Sequence, residues 1–511
     1  MPLPSAVESH PDKVSHRMAT SGEAVTFREL DERSIRLSRA LADAGVGRRD
    51  VVAVLLENHV RYPEVYWGVI RLGALLTAVN RYSTADEVAH IVNDSGAKAL
   101  ITSQRYADVA AQLADRMPRC TVPLMMDGVV SGYRSYEELL AEQPREALSD
   151  PEPQGDFMNY SSGTTGRPKG IKRAVVDIAL SDPSMLERLF GQLMQLTDDT
   201  VYLSTAPLYH SAPLAVAMAV QAKGGTVVIM EHFDAEQALH LIERHRVGHS
   251  QWVPTMFVRL LKLPEAVRTA YDLSSHQVAI HAAAPCPPDV KRQMIDWWGP
   301  IVLEYYGGTE VNGLTFITTD EWLAHPGSVG KPVVGAIHIC DDDGNDLPAG
   351  SPGLIYFERD SLPFEYHNDP AKTAAATHPM HPTWTCIGDI GHVDEDGYLY
   401  LRDRTAFTII SGGVNVYPRE TEDVLVLHPH VTDAAVFGVP DPEMGQQVVA
   451  AVQLVPRATP SDALAEDIAT FCRSHLARFK VPQMIHFMDQ LPRLDTGKLY
   501  KQQLIEQFTP R

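Results

Sequence analysis

The stretch YSSGTTGRPKGIKR, residues 160–173, decides the fold class and sets the expectations for the rest of the chain. It follows the strand-like FMN of residues 157–159, and serine, threonine and glycine dominate it, so backbone N–H groups and hydroxyls can approach a phosphate closely. A Walker A loop needs glycine directly before its lysine, whereas Lys169 lies between Pro168 and Gly170. The stretch therefore predicts a phosphate-binding loop of another kind.

The charge of this loop contrasts with the charge of the whole chain. The 511 residues carry a formal net charge of −21, which disfavours nucleic acid and anionic membranes as partners. The loop nevertheless supplies four basic side chains, those of Arg167, Lys169, Lys172 and Arg173. A local basic site in an acidic chain favours a small anionic ligand. A flexible surface loop is the alternative, and the long, specific string SSGTTGRPKG disfavours it.

Composition and cysteine usage are those of an ordinary globular protein. The chain is 44% hydrophobic and 21% charged, and at roughly 100–200 residues per domain its length allows two or more domains. Its five cysteines are far apart and form no CxxC pair, which favours a reduced, intracellular protein. The N-terminal segment lacks an apolar signal-peptide region, and no uncharged apolar run reaches the roughly 18 residues of a membrane span. We therefore expect a cytoplasmic protein.

Helical and strand-like patterns alternate along the first three hundred or so residues. Residues 26–45 predict a helix with a T-x-x-E capping box at its start and Gly45 at its end. The apolar run VVAVLL, residues 51–56, predicts a strand buried on both faces. The other predicted elements are a helix-like stretch over 67–76 and strands at 97–101, 226–230 and 278–280. This alternation predicts α/β layers with parallel sheets.

Beyond residue 330 the pattern changes to alternating, turn-rich segments that are typical of antiparallel strands. Residues 361–383, rich in Pro and His, are predicted to form a long irregular loop. GHVDEDGYLYLRDR, residues 391–404, predicts a hairpin with a tight Asp396-Gly397 turn. The segment after it predicts strands at 431–439 and 450–455 and a helix at 461–476. We place a domain boundary between residues 403 and 404.

The SSGTTGRPKG string resembles a motif of the adenylate-forming superfamily, which comprises acyl-CoA synthetases, peptide-synthetase adenylation domains and luciferases. Further motifs follow in the family's order over nearly the whole chain, and the chain is most similar to bacterial acyl-CoA synthetases. The resemblance implies a large N-terminal domain, here 1–403, of layered α/β subdomains with a β-barrel-like part. It also implies a small, mobile α+β C-terminal domain, here 404–511, and ATP, Mg²⁺ and coenzyme A as ligands.

By this resemblance two ATP-binding segments can be assigned residue by residue. The phosphate loop supplies Ser161, Ser162, Gly163, Thr164, Thr165, Gly166 and Lys169. EYYGGTE, residues 304–310, resembles the second ATP motif, in which Tyr306 stacks on adenine beside Gly307, Thr309 contacts the α-phosphate and Glu310 holds Mg²⁺. An aromatic ring suits a purine face, and a carboxylate suits Mg²⁺ near phosphates. Without the resemblance the motif is as typical of a plain turn. The preceding HAAAPCP resembles the adenine-side loop, with Ala283, Ala284 and Pro285.

Two later segments resemble the ribose-binding and catalytic motifs. Asp389 matches the carboxylate that binds both ribose hydroxyls, and Arg404 matches the arginine that contacts the ribose region. Taken alone, Asp389 is typical of a turn residue before a hairpin. PRLDTGKLYK, residues 492–501, resembles the catalytic segment, which makes Lys498 the lysine between the substrate carboxylate and the α-phosphate. A lone lysine near a C-terminus is otherwise a solvated charge.

Two further motifs concern the acid and its acceptor. APLYHSAPL, residues 206–214, matches the segment beside the acyl site, where His210 is the candidate and a buried structural histidine is the alternative. The absence of an acidic anchor there disfavours an amino-acid substrate. IISGGVNVYPRETE, residues 409–422, resembles the loop that starts the family's C-terminal domain and lines the pantetheine tunnel, so Ser411, Gly412 and Gly413 are candidates for thioester formation. The two glycines also simply permit a bend.

The sequence departs from the family pattern near the domain boundary, where Asp403 stands in place of a common glycine and Ala406 in place of a hinge Asp or Lys. The departure leaves the acceptor less certain than the activation step. We predict an ATP-dependent acyl-CoA ligase that forms an acyl-adenylate. The alternatives are an amide synthetase using an amine and a non-catalytic nucleotide-binding regulator. The expected partners are a small carboxylic acid, ATP, and coenzyme A or an amine, with a homodimer left open.

Overall fold

A computed structural model describes residues 3–161, 168–174, 176–404, 407–411, 414–493 and 499–509, with only the backbone described at Ser161 and Arg404. The chain divides into two compact units. The first unit comprises Met1–Gln251, Asp272–Val278 and Phe364–Thr373. The second comprises Trp252–Tyr271, Ala279–Pro363 and Ala374–Arg511.

The strands, in chain order, are β1 Val14–Met18, β2 Ala24–Thr26, β3 Val51–Leu55, β4 Leu75–Ala78, β5 Ala99–Ser103, β6 Val122–Met126, β7 Arg134–Ser135, β8 Asp156–Phe157, β9 Asn159–Ser161, β10 Lys169–Arg173, β11 Val201–Ser204, β12 Thr226–Ile229, β13 His249–Trp252, β14 Val278–His281, β15 Val302–Gly307, β16 Leu314–Ile317, β17 Lys331–Val334, β18 Ala336–Cys340, β19 Gly353–Glu358, β20 Phe364–Tyr366, β21 Trp384–Val393, β22 Leu399–Arg404, β23 Ile409–Ser411, β24 Val414–Val416, β25 Val431–Asp441, β26 Gly445–Leu454 and β27 Met484–Met488. The helices are α1 Leu3–Ser9, α2 Phe27–Asp43, α3 Tyr62–Arg71, α4 Ala85–Ser95, α5 Ala107–Ala111, α6 Tyr136–Ala141, α7 Met185–Leu193, α8 Ser211–Ala222, α9 Ala235–His245, α10 Pro254–Leu261, α11 Glu265–Arg268, α12 Pro288–Trp298, α13 Thr319–Ala324, α14 Pro370–Ala376, α15 Pro418–Leu425, α16 Asp462–His475 and α17 Lys501–Phe508.

A six-stranded parallel sheet in the order β7-β6-β5-β3-β4-β8 organises the first unit. Every residue of β3 is buried, as the continuous apolar run predicts. Helix α2 begins at a capping box in which the Thr26 side chain accepts from the Glu29 amide and the Glu29 carboxylate accepts from the Thr26 amide. Gly45 follows the helix with φ +88°, which confirms the predicted left-handed end.

The first unit contains two further groups of strands. In one, β1, β11, β12 and β13 run parallel in the order β13-β11-β12-β1, and β2 pairs antiparallel with β1 at the edge. The other is a three-stranded antiparallel sheet in the order β20-β10-β9. Strands β9 and β10 flank residues 162–167 in the chain, so this small sheet positions both ends of the predicted phosphate loop.

The second unit is mostly antiparallel, as the turn-rich sequence beyond residue 330 predicts. Strands β18, β19, β21 and β22 form an antiparallel sheet in that order, and Gly397, with φ +84°, lies in the tight turn between β21 and β22. Towards the C-terminus the long β25–β26 hairpin carries β23 and the parallel β27. Two hydrophobic clusters drawn from residues 409–508 pack around that hairpin.

Two sequence predictions are wrong in their detail. The helix-like stretch over 67–76 ends as a helix at Arg71, because Gly73 turns the chain with φ +71° and Leu75 begins β4. The predicted irregular loop at 361–383 contains β20 and α14. Pro370 makes this segment resemble a loop in the sequence. In the structure it occupies the first helical position of α14, where a missing N–H costs nothing.

The cysteines are free thiols at Cys120, Cys286, Cys340, Cys386 and Cys472. Over the described ranges, no helix combines the length and apolar character that crossing a membrane requires.

Candidate functional site

Both ends of the predicted phosphate loop are held by backbone pairing. Strand β9 pairs antiparallel with β10, with Ser161 opposite Lys169 and Tyr160 opposite Gly170. A Cβ at Gly170 would approach the Tyr160 ring and the His367 Cβ to 3.0 Å, so glycine permits the close pairing. The predicted phosphate contacts at Ser162, Gly163, Thr164, Thr165 and Gly166 lie outside the described residues.

Two of the basic side chains near the loop have carboxylate partners. The ammonium of Lys169 lies 2.5 Å from Asp369 Oδ2, and Arg173 lies 2.5 Å from Asp156 Oδ1. The Lys169 ammonium holds the pKa of the Asp369 carboxyl below its usual value. The other oxygen of Asp369 accepts a hydrogen bond of 3.0 Å from the Lys372 amide in the first turn of α14.

A second carboxylate, that of Asp94 at the end of α4, holds the other end of the loop. Tyr160 donates its hydroxyl to Asp94 Oδ2 at 2.7 Å, and Asn368 donates its amide to Oδ1 at 3.1 Å. His367 lies 3.0 Å from the Asp94 carbonyl, and its own amide donates to the Gly170 carbonyl at 2.8 Å. Helix α4 and the segment Phe364–Thr373 therefore form a frame around β9 and β10, the strands before and after the phosphate loop, within the first unit.

His210 precedes the first turn of α8, a helix in which every residue from Pro213 to Ala222 is buried. Its ring centroid lies 4.3 Å from that of Tyr209, and its carbonyl accepts from the Leu214 amide at 3.1 Å. Ser211 accepts a hydrogen bond from Asn159 of β9 at 3.1 Å, which ties this helix to the strand that leads into the phosphate loop. The helix sequence SAPLAVAMAVQA carries no charged side chain. The role of His210 stays a prediction.

In the second unit, Tyr306 and Asp389 meet across two sheets. Tyr306 lies near the end of β15 and donates its hydroxyl to Asp389 Oδ2 of β21 at 2.6 Å. Asp389 is 8% exposed, and its backbone pairs with that of Arg404 in β22. The structure thus brings together an aromatic ring and a carboxylate that the sequence predicts for adenine and ribose, while the Arg404 side chain lies outside the described residues.

The turn that follows β15 holds Thr309 and Glu310. Glu310 is 9% exposed, and a Cβ at Gly308 would lie 2.9 Å from its carboxylate and 2.7 Å from Ile387 Cδ1, so glycine makes room there. Val311 adopts φ +52°, which is uncommon for a β-branched residue. The guanidinium of Arg359 donates to the carbonyls of Val311 and Asn312 at 3.2 and 3.3 Å and so holds this turn. Gly307 is exposed at the end of the strand.

The predicted adenine-side loop lies between β14 and α12. Ala283 adopts φ +74°, while Ala284 and Pro285 continue the loop into the buried Cys286. Beneath the loop, Lys291 of α12 forms a 2.6 Å ion pair with Glu304 of β15, and His281 of β14 lies 3.5 Å from the same carboxylate. Burial lowers the pKa of His281 well below its usual value, so the ring is neutral.

The remaining candidates lie in the C-terminal part of the second unit. Ser411 is buried at the end of β23, paired with Gly445 of β26, whereas Gly412 and Gly413 lie outside the described residues. Lys498 also lies outside them. Arg493 and Leu499 pair on either side of it, and Arg493 forms a two-point ion pair with Asp433, with N–O distances of 2.5 and 2.8 Å.

Several residues of the site escape the sequence motifs. Asp369 and Asp94 lie far from the phosphate loop in sequence, Asp369 in the predicted irregular loop and Asp94 in a segment without a motif. Arg359 and Lys291 support the nucleotide segments from neighbouring elements, Lys291 through its ion pair with Glu304 at the start of EYYGGTE. A buried lysine within an amphipathic helix is the one signal that could have been noticed, because lysine is rarely buried without a partner.

Comparisons with known proteins agree with these motifs. The profile of the AMP-binding enzyme family matches residues 3–366, and that of the AMP-binding enzyme C-terminal domain matches residues 420–498. The chain belongs to the AMP-binding enzyme family, and its mixed α/β architecture is that of adenylate-forming enzymes.

Individual relatives show which enzymes of the AMP-binding family this chain is similar to. The long-chain-fatty-acid–CoA ligase FadD13 of Mycobacterium tuberculosis is 31% identical over 496 residues, covering 95% of this chain and 93% of the relative. Feruloyl-CoA synthase of an Amycolatopsis species is 32% identical over 491 residues, covering 95% and 94%. The amide bond synthetase McbA from Marinactinospora thermotolerans has a similar structure, with a TM-score of 0.80, 27% identity and 99% of each chain covered. The protein is therefore an AMP-forming ligase related to acyl-CoA ligases.

Proposed function

We propose that this ligase activates a carboxylic acid with ATP and then transfers the acyl group to coenzyme A. In the first step the carboxylate attacks the α-phosphorus, and acyl-adenylate and pyrophosphate form. In the second step the thiol of coenzyme A attacks the acyl carbon, and the thioester and AMP form while the thiol proton is released. Adenylation turns a poor leaving group into AMP, a good one.

The observation that carries this proposal is the 2.6 Å contact between Tyr306 and Asp389. It fixes an aromatic ring beside a carboxylate, which suits the base and the vicinal hydroxyls of a nucleoside. Glu310 follows four residues after Tyr306 in the sequence. We assign adenine to Tyr306 and the loop at Ala283–Pro285, the ribose to Asp389 and Arg404, and the α-phosphate to Thr309.

The metal assignment rests on the chemistry of Glu310. Its carboxylate is a hard oxygen donor held by the turn that Arg359 supports, and Mg²⁺ at such sites takes one or two carboxylates together with substrate phosphates. Among the residues whose placement is described, no three His, Cys, Asp or Glu side chains group as a metal site. A site completed by phosphates requires no such group. Bound Mg²⁺ would neutralise charge at the phosphates.

We assign charge stabilisation to Lys498 and the phosphate loop. A carboxylate that approaches a triphosphate brings two anions together, and a lysine between them lowers that cost. Lys169 contributes a second ammonium at the exit of the loop. His210 is assigned to the acyl site, and Ser411 with Gly412 and Gly413 to the path of the pantetheine arm.

Coenzyme A is the proposed acceptor because FadD13 and feruloyl-CoA synthase, two relatives of about 30% identity, are named for it. An amine is the alternative acceptor, since the amide bond synthetase shares the fold over the whole chain. The proposed acid is aliphatic, aromatic or polycyclic, since the relatives are named for both long-chain fatty acids and feruloyl groups and α8 offers no acidic anchor for an amine. The reaction is placed in the cytoplasm, where ATP and coenzyme A occur.

The test is pyrophosphate release from Mg·ATP across a panel of aliphatic, aromatic and polycyclic acids. Each acid is assayed with coenzyme A, with a simple amine, and with neither. Turnover that requires acid and coenzyme A supports the proposal, and turnover only with the amine replaces it with an amide synthetase. ATP binding without pyrophosphate release, for every acid and acceptor, would indicate the non-catalytic regulator instead.

A further inference from the structure

Lys169 has a carboxylate partner at the position where a phosphate-binding lysine would be expected to have a free ammonium. Its Nζ lies 2.5 Å from Asp369 Oδ2, and both side chains are about one-third exposed, at 32% and 28%. Asp369 is itself fixed, because its Oδ1 accepts from the Lys372 amide at 3.0 Å and its carbonyl accepts from the Thr373 hydroxyl at 3.1 Å. The carboxylate therefore cannot swing away without losing the start of α14.

The frame around β9 and β10 holds this carboxylate in place. Asn368, with φ +55°, and His367 both bond to Asp94, and the His367 amide bonds to the Gly170 carbonyl next to Lys169. Strand β20 pairs with β10 immediately before this segment, with Tyr366 opposite Ile171. Asp369 is therefore held in a fixed position. The pairing of β20 with β10 fixes the chain before it, and the first turn of α14 fixes the chain after it.

A phosphate that reaches Lys169 meets this fixed negative charge. The phosphate and the carboxylate both need the same ammonium, and the two anions repel each other at short range. Pyrophosphate concentrates its charge more than the ATP from which it derives, so it experiences the repulsion more strongly. A carboxylate at this position therefore weakens the binding of pyrophosphate, the product, more than the binding of ATP, the substrate.

We propose that Asp369 is a positioning residue that competes with phosphate oxygens for Lys169 and thereby promotes the release of pyrophosphate after adenylate formation. The inference rests on the proposed function, since it requires phosphates at the loop. It assigns no bond-making role to Asp369, which acts by competing for the Lys169 ammonium and by repelling the phosphate.

The test is calorimetric binding of Mg-pyrophosphate and of Mg·ATP, in the absence of any acid, to the full chain and its variants. Asp369→Asn keeps the shape and the helix-capping ability of the side chain and removes its charge. We expect it to bind Mg-pyrophosphate roughly three- to tenfold more tightly, with a smaller gain for Mg·ATP. The gain should shrink as ionic strength rises from about 0.05 to 0.5 M.

A double-mutant cycle shows whether the effect passes through Lys169. In a Lys169→Gln background, Asp369→Asn should give a markedly smaller gain in pyrophosphate affinity, because no ammonium remains to be released and only the direct repulsion between carboxylate and phosphate is removed. Asp108→Asn, an exposed position on α5, removes the same unit of charge and should change neither affinity. Asp369→Ser, which also caps a helix, is the second variant should Asp369→Asn lose its thermal transition.

The outcomes separate this inference from the proposed function. Equal or weaker pyrophosphate binding by folded Asp369→Asn, with normal binding by the unchanged protein, overturns the inference alone. Failure of the unchanged protein to bind either Mg·ATP or Mg-pyrophosphate overturns the proposed function and the inference with it.

Discussion

At the scale of single residues, Asp389 is the side chain whose chemistry is easiest to isolate. It is nearly buried, and its carboxylate accepts the hydroxyl of Tyr306. Asp389→Asn removes a charged acceptor from the proposed ribose site, and hydrogen bonds to charged groups are worth about 1.5–3 kcal/mol. We expect the KM for ATP to rise about tenfold or more while the KM for the acid changes little, as measured by pyrophosphate release. Asp343→Asn, in an exposed turn, is the control.

An unchanged KM for ATP in Asp389→Asn would remove the ribose assignment. A KM that rises equally for ATP and for the acid would instead indicate a general distortion of the second unit.

Lys498 allows a different measurement at the same scale, because its proposed role concerns the transition state. Lys498→Ala should lower the rate of adenylate formation at least about 100-fold, as loss of a group that stabilises developing charge does. The affinity for ATP should stay within a few fold of that of the unchanged protein. A large loss of rate at nearly unchanged ATP affinity distinguishes a ligase from a protein that only binds ATP. Lys98→Ala, on a partly exposed lysine paired with Asp50, is the control and should keep full activity. Adenylation by Lys498→Ala at the unchanged rate would exclude the assigned role.

The buried carboxyl of Glu64 should make the stability of the protein depend on pH. This carboxyl is 3% exposed, accepts the Tyr136 hydroxyl at 2.8 Å, and has its pKa raised to about 7 by burial. Between its unfolded pKa of about 4.5 and this folded value, the folded state holds a proton that the unfolded chain has lost. The contribution of the protonated Glu64 carboxyl to the free energy of unfolding is therefore complete below about pH 4.5. It is lost as the pH rises through about 7.

Glu64→Gln keeps the acceptor for Tyr136 and removes the titration. Relative to the unchanged protein, its free energy of unfolding should rise by roughly 2–3 kcal/mol between pH 5 and pH 8, at about 1.4 kcal/mol per pH unit. Urea unfolding at the two pH values measures this difference. Glu142→Gln, on an exposed glutamate, should follow the unchanged protein. Parallel pH profiles for Glu64→Gln and the unchanged protein would contradict the pKa shift.

At the scale of elements, the ion pair between α12 and β15 joins the two segments that carry the adenine loop and Tyr306. The Lys291 and Glu304 side chains are 0% and 6% exposed. Lys291→Met leaves a buried carboxylate without its partner and should cost about 3–5 kcal/mol in urea unfolding. The double variant Lys291→Met with Glu304→Leu should recover most of that loss, because an apolar pair of similar volume is often neutral. A double variant as unstable as the single one would show that the charges themselves stabilise the fold.

Elements also show how far the sequence determines this structure. Helix α2 and strand β3 could be predicted because a capping box and a continuous apolar run are local signals. The family could be recognised because the string SSGTTGRPKG is long and specific, whereas EYYGGTE is informative only together with that resemblance. Strand β20 could not be predicted, because three residues carry no periodicity and the strand exists only by pairing with β10. The Lys169–Asp369 pair, 200 residues apart in sequence, follows from that pairing and has no local signal.

At the scale of the whole molecule, the boundary between residues 403 and 404 stays a prediction that a fragment can test. Two hydrophobic clusters drawn from residues 409–508 surround the β25–β26 hairpin. We expect residues 404–511 to fold alone with a cooperative thermal transition in far-UV circular dichroism. Phe437, 1% exposed, lies in one cluster, and Phe437→Ala should weaken that transition by about 3–5 kcal/mol. A fragment without cooperative unfolding would show that the C-terminal part depends on the rest of the chain.

The segment Phe364–Thr373 has a consequence for how the protein is made. It belongs to the first unit, although the second unit supplies the chain on both sides of it. During synthesis, β10 leaves the ribosome about 200 residues before Asp369, which at about 5–20 residues per second is a delay of roughly 10–40 s. Throughout that interval β10 has β9 as a neighbour but an open second edge, and an open edge invites pairing with other chains. A nascent chain stalled before residue 364 should therefore engage chaperones at β10, and one extended past residue 373 should release them.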